Sequence, residues 1–259
     1  MTEFRGQDLT GAVFDEVDLR EARFRQADLR GARFHTVFLR GAVFRGVWAD
    51  DVEITGEIAD LRVNGVDVMP FVEAELDRRH PQRSAMRPTD ADGFREAWDV
   101  LEQLWAQTVT RARRLDPSRL HESVEGEWSF IETLRHLVFA TDAWVRRVIL
   151  LDPAPWHPLD LPWDEMPDTD GVPRDRDVRP SLDEVLALRA ERQATVRQVM
   201  ADLTDDGLSA MTVPVTEPGY PESESFPVRE VLGGVLEEEW QHRLFAERDL
   251  DVLESRPAS

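Results

Sequence analysis

The chain has 259 residues, 41% of them hydrophobic, and carries a formal net charge of −21 from 52 Asp+Glu against 31 Lys+Arg. That length and apolar content sustain a buried core in one large domain or two modest ones, while the excess of acid disfavours nucleic acid, whose phosphates need positive charge, as a partner. The absence of cysteine excludes disulfides, thiolate metal sites and a protein-borne thiol nucleophile.

The start, MTEFRGQDLTG, has neither the basic nor the apolar region of a secretory signal. No window approaches the roughly eighteen uncharged apolar residues of a membrane span. A cytoplasmic protein with no membrane partner is therefore expected. All the basic residues are Arg and none is Lys, which reads as the composition bias of a GC-rich bacterium.

Large apolar residues then recur every five positions, at Phe4, Leu9, Phe14, Leu19, Phe24, Leu29, Phe34, Leu39 and Phe44. Two positions before most of them stands a small or β-branched residue, such as Ala12, Val17, Ala22, Ala27 and Ala32. Neither a helix, with about 3.6 residues per turn, nor a strand, with a period of about 2, has this repeat, so the regular solution is a solenoid that turns a corner every five residues. Phe/Leu and Ala/Val would stack inward, with Arg, Asp and Glu facing water.

The stretch resembles the pentapeptide-repeat family, whose motif A(D/N)LXX is met in Ala27-Asp28-Leu29-Arg30-Gly31. The resemblance implies a short right-handed quadrilateral β-helix over residues 1–68. Some members of that family mimic DNA and bind gyrase, but the arginines at Arg5, Arg20, Arg23, Arg25, Arg30, Arg33, Arg40 and Arg45 interrupt an acidic surface here. A rigid cap, a homodimer contact or a protein partner held through the solenoid are the other roles open to it.

Residues 69–90 read as a short helix begun by Pro70 and stopped at His80-Pro81, followed by a polar linker. Four long helical segments follow in residues 91–259. The first runs from about Ala91 to Leu115 with Asp90 as N-cap, and carries Phe94, Trp98, Leu101, Leu104, Trp105 and Val109 at helical spacing. The second opens on the capping box Ser129-Phe-Ile-Glu132 and runs to Leu151; the third opens on Ser181-Leu-Asp-Glu184 and runs to about Leu203; the last spans about Pro227 to Leu253. Nearly thirty residues rich in Pro and Asp separate the second from the third, too long for a plain connection. Four such helices with two long connections predict a four-helix bundle, so the expected fold class is multidomain β + α.

Of the six histidines, His35 and His80 read as surface, and His121 and His157 fall in or beside loops. His136 and His242 are each set within an amphipathic helix. Glu238 and Glu239 lie four and three residues before His242 and share its helix face, whereas Glu237, five back, does not. Two histidines and one carboxylate from facing helices would supply three ligands and leave positions open, the form of a catalytic metal site; the same spacing also makes ordinary solvated ion pairs.

The stretches GEWSFIETLRHLVFATDAWV and VLEEEWQHRLFAERDL resemble the DinB superfamily, which includes mycothiol-dependent isomerases and transferases. In that family a histidine on the second helix and an H-x-x-x-H pair on the last bind a divalent metal. The resemblance implies His136 and His242 as ligands and puts Glu238 where the family has its earlier histidine, a departure that still leaves a donor for Zn, Ni, Fe or Mn. It implies a metal-dependent enzyme acting on a small-molecule substrate, with mycothiol or a similar thiol, or water, as the activated group. The alternative is a non-catalytic interaction protein. Glu132, Asp142 and Glu239 are candidate supports of the ligands, Arg135, Arg243 and Arg248 candidate contacts for an anionic substrate, and residues 152–180 a candidate roof over the pocket.

Overall fold

A computed structural model describes residues 3–256 apart from Glu16 and Glu57. Two compact units are present, one before Ile58 and one from Ile58 onward.

The first unit keeps the five-residue period in its backbone. Positive φ occurs at Gly6, Gly11, Glu21, Gln26, Gly31, Thr36, Gly41, Gly46, Asp51 and Gly56. Every tenth residue closes a turn in which an alanine N–H donates to a leucine carbonyl, from Ala12 to Leu9, Ala22 to Leu19, Ala32 to Leu29 and Ala42 to Leu39, at 2.9–3.0 Å. The third residue of each turn has φ between 63° and 77°, the type II geometry that favours glycine. An aspartate leads into three of them, its carboxylate accepting the N–H two residues on: Asp8 from Thr10, Asp18 from Arg20 and Asp28 from Arg30.

The expected β-helix is not what these residues form. No strand lies among the described residues before Arg62. Phe4, Leu9, Phe14, Leu19 and Phe24 are 44–65% exposed rather than stacked inward. The backbone hydrogen bonds found among the described residues of this unit close local turns, and without a ladder between coils the apolar side chains stay about half exposed.

The second unit is mostly helical. It opens with a hairpin of β1 (Arg62–Val63) and β2 (Val66–Asp67), joined by Asn64-Gly65, both at positive φ as a two-residue type I′ turn requires. Next come α1 (Met69–Arg79), with Pro70 in its first turn, and a 3-10 turn (Pro81–Met86) that delivers Met86 to the core.

Helix α2 (Ala91–Ala112) begins at Asp90, whose side chain accepts the Gly93 N–H at 2.8 Å. It buries Phe94, Trp98, Leu101, Leu104 and Trp105, the stripe read from the spacing. Helix α3 (Phe130–Thr141) starts on the capping box of Ser129 and Glu132, then continues as a π-helical stretch (Asp142–Ile149) in place of a uniform α-helix. Helix α4 (Leu182–Asp202) starts on the capping box of Ser181 and Glu184; a short α5 (Asp205–Leu208) and α6 (Val228–Ser255) complete the chain. Helices α2 and α3 each pack against both α4 and α6, and the core lies between them.

Two arginines fix the long connections to this frame. Arg135 of α3, fully buried, donates to the carbonyls of Leu159, Asp175 and Val178, and Arg147 of the π stretch donates to those of Pro153 and Glu217. Irregular backbone that would otherwise leave carbonyls unpaired is thereby satisfied from the helices. Among the described residues no helix is long and apolar enough to cross a membrane.

Candidate metal centre

His136 projects from α3 and Glu238 and His242 from α6, and a nitrogen or carboxylate oxygen from each lies within 4.8 Å of the others. His136 Nδ1 is 2.9 Å from the Leu161 carbonyl oxygen and His242 Nδ1 2.9 Å from that of Glu238. A carbonyl only accepts, so in both rings Nδ1 carries a hydrogen, which leaves Nε2 as the nitrogen able to ligate when the ring is neutral. This is the arrangement that orients and sharpens metal-ligating histidines.

Glu238 Oε2 is the third member. It lies 3.5 Å from His136 Nε2 and 3.2 Å from His242 Nδ1, yet this buried atom has no hydrogen-bond partner. A carboxylate oxygen this near two imidazole nitrogens is balanced by a proton on a ring or by a bound cation. The donor set of two imidazoles and one carboxylate therefore fits a divalent ion.

The electrostatics agree. Burial first, and then the His136 charge, pushes His242 down to about 4, so its imidazole is neutral and free to ligate near pH 7. Burial acts to raise Glu238, but the polar contact with His136 and the charges that both histidines carry when protonated outweigh it, and the carboxyl ends below its ordinary range. Trp128 closes one side, its ring centroid 4.6 Å from His136 and 6.0 Å from His242. Its indole N–H donates to Asp164 of the long connection at 3.3 Å.

Beside the ligands opens a cavity of about 210 Å³ lined by His136, Phe139, Ala140, Trp144, Trp163, Tyr220 and Glu238. Trp144 belongs to the π stretch, and such widened turns recur at functional sites. Trp163 comes from the 152–180 connection, as the sequence placed the roof, while Tyr220 comes from the second connection, before α6. Tyr220 was not legible as a site residue; its one signal is that it is the only tyrosine in the chain. Burial, then the Glu238 charge, raises its phenol above the ordinary value. A larger cavity of about 330 Å³ lies elsewhere, around Asp90 and Asp205, where the polar groups already cap α2 and α5 or pair with Arg95.

The other acids and arginines singled out in the sequence have structural partners. Glu239 is buried in an ion pair with Arg189 of α4 at 2.8 Å, Asp142 is held by Arg192 at 2.8 and 2.9 Å and by Arg146, and Glu132 serves its capping box. Arg135 clasps the connection, Arg243 meets Thr108 and Glu247, and Arg248 pairs with Asp249. His157 Nδ1 accepts the Leu159 N–H, and His80 packs edge-on against Trp240.

The helical unit thus brings a His/Glu/His set from two helices to the edge of an aromatic cavity. Compared with known families, residues 100–246 match the DinB superfamily and residues 8–46 match pentapeptide repeats in eight copies. The first match covers more than half of the chain, which therefore belongs to the DinB superfamily. No curated protein and no solved structure matches it.

Proposed function

We propose that the protein is a metal-dependent enzyme of the DinB type, with a divalent ion held by His136, Glu238 and His242 in a four-helix bundle. The convergence of Glu238 Oε2 with His136 Nε2 at 3.5 Å and His242 Nδ1 at 3.2 Å carries this reading, because two imidazoles and a carboxylate brought together from two helices are a ligand set for a divalent ion. When bound, such an ion supplies Lewis acidity to a thiol, a water or a substrate carbonyl.

The chain's own residues do the rest. Leu161 and Glu238 carbonyls orient the imidazoles, Trp128 packs against the ligand rings, and Phe139, Trp144, Trp163 and Tyr220 give the adjoining cavity aromatic walls. With no cysteine in the chain, a thiol reaction would use a small thiol such as mycothiol, and a hydrolysis would use water. The repeat segment is proposed to cover its exposed Phe/Leu face by binding a protein partner.

The test is metal content. Purified protein incubated with Zn, Ni, Mn or Fe(II) and freed of excess should retain about one ion per chain, and His242→Ala should lose it. Absence of stoichiometric metal in the wild type overturns the proposal. If Glu238→His leaves both metal content and metal preference unchanged, Glu238 is not a ligand.

A further inference from the structure

Most residues that line the cavity beside the ligands are aromatic or apolar. Phe139 and Tyr220 present near-parallel rings 6.0 Å apart at 26°, and Trp163 and Trp144 meet Tyr220 edge-on at 4.9 and 5.9 Å. The charged or metal-ligating groups in the lining, His136 and Glu238, are the site ligands themselves. The Tyr220 hydroxyl has no hydrogen-bond partner among the described residues, and the Glu238 charge reaches it. An apolar cavity of about 150 Å³ holds benzene. The space of about 210 Å³ here suits one ring with a short polar substituent.

Building on the metal reading above, we propose that the cavity selects a small aromatic substrate, its ring held among Phe139, Trp163 and Tyr220 and its terminal oxygen or sulfur donor directed at the metal ligands. The Tyr220 hydroxyl donates a hydrogen bond to that terminal donor. Offset and edge-on ring contacts favour an aromatic body over an aliphatic one of equal area. An organic cation also suits aromatic walls, but a divalent ion on the neighbouring ligands repels it.

Binding of benzohydroxamate and acetohydroxamate to the zinc-incubated full chain, followed by tryptophan fluorescence with zinc content measured on the same samples, tests this. Both compounds chelate zinc and only one carries a ring. Benzohydroxamate should bind at least about tenfold tighter, a preference that Trp163→Ala abolishes while leaving acetohydroxamate unchanged. Tyr220→Phe should weaken both by about three- to tenfold; no change removes the hydroxyl's role.

Zinc present with no ring preference overturns the aromatic proposal and leaves the metal reading intact. If no zinc is retained, saturation-transfer NMR of the metal-free protein decides: phenol bound in preference to cyclohexanol, and lost in Trp163→Ala, sustains the aromatic site alone, and equal binding removes it. Displacement of benzohydroxamate by tetramethylammonium more readily than by phenol would make the cavity a cation cage and also overturn the proposal.

Discussion

Charge is handled in opposite ways by the two units. In the repeat segment the ion pairs are two residues apart and open to water, as in Asp18–Arg20 with side chains 56% and 88% exposed and Asp28–Arg30 with 61% and 92%. The helical unit has exposed local pairs too, such as Glu75–Arg78, but it also has pairs that join different helices out of water: Arg189 of α4 meets Glu239 of α6 with side chains 3% and 2% exposed, and Arg192 meets Asp142, which is fully buried. The contrast teaches where position is encoded. A repeat specifies its backbone locally, by which residue tolerates positive φ, so its ion pairs are incidental; the helical unit specifies which face meets which by burying charged groups that must find their partners on another helix.

Breaking a buried pair should therefore have the largest effect. Arg189→Met strands the Glu239 carboxylate in the core and should lower stability by about 3–5 kcal/mol, read as a shift in the urea midpoint by tryptophan fluorescence. Arg189→Met combined with Glu239→Leu should recover most of the loss, because the cost comes from the uncompensated charge. A double variant as unstable as the single would mean that the pair supplies packing and not charge matching.

Asp160 sharpens the same point through pH. Burial first, then the Asp142 charge, pushes its carboxyl from 3.8 up to about 8, against the opposing pull of the His157 N–H, Arg192 and Arg146. The native state thus holds a proton that the unfolded chain releases, and stability falls as pH rises from about 4 to about 8. Asp160→Asn keeps an acceptor for the His157 N–H, 3.0 Å away, and removes the titration. At pH 8 the variant should be more stable by at least about 1.4 kcal/mol, the free energy of a tenfold change in proton affinity, with the gap shrinking toward pH 5. Parallel thermal melts of the two proteins at both pH values would refute this by showing a constant gap.

The sequence carried some of this and not the rest, for reasons that differ between units. Capping boxes at Ser129 and Ser181, the N-cap at Asp90 and the α2 stripe are short-range signals, and α2, α3 and α4 begin within one residue of where those signals place them. His136, Glu238 and His242 could be paired because i,i+4 spacing fixes one side and a family motif the other. The π stretch after Thr141 has no such signal, since a widened turn depends on what packs around it. Tyr220 and Trp163 escaped because they reach the cavity from irregular connections pinned by Arg147 and Arg135, contacts far apart in sequence. The repeat shows the converse: its period was plain, but the spacing of apolar residues did not determine that its coils pair.

In the repeat, effects should be smaller and should follow the backbone. Gly31 has φ of 74° at the third position of the Leu29–Ala32 turn and open space where a Cβ would be, so Gly31→Ala introduces conformational strain without a clash. The cost is about 1 kcal/mol. Hydrogen exchange by mass spectrometry should show the peptide containing Ala32 exchanging about fivefold faster while peptides of α2 and α6 do not change. Equal acceleration in both units would contradict a locally encoded repeat.

The smallest effect separates charge from backbone within a single turn. Asp28 accepts both the Arg30 backbone N–H at 3.1 Å and its guanidinium at 2.6 Å. If the ion pair held the turn, Arg30→Ala and Asp28→Ala would loosen it alike. The guanidinium is in water, where screening and side-chain entropy cancel most of the attraction, whereas the bond to the backbone fixes the dihedrals that lead into Gly31. Arg30→Ala should therefore leave exchange at Ala32 unchanged at low and high salt, while Asp28→Ala should raise it measurably. A salt-sensitive rise in Arg30→Ala would show that the exposed charges of the repeat do specify its shape, and the contrast with the helical unit would fail.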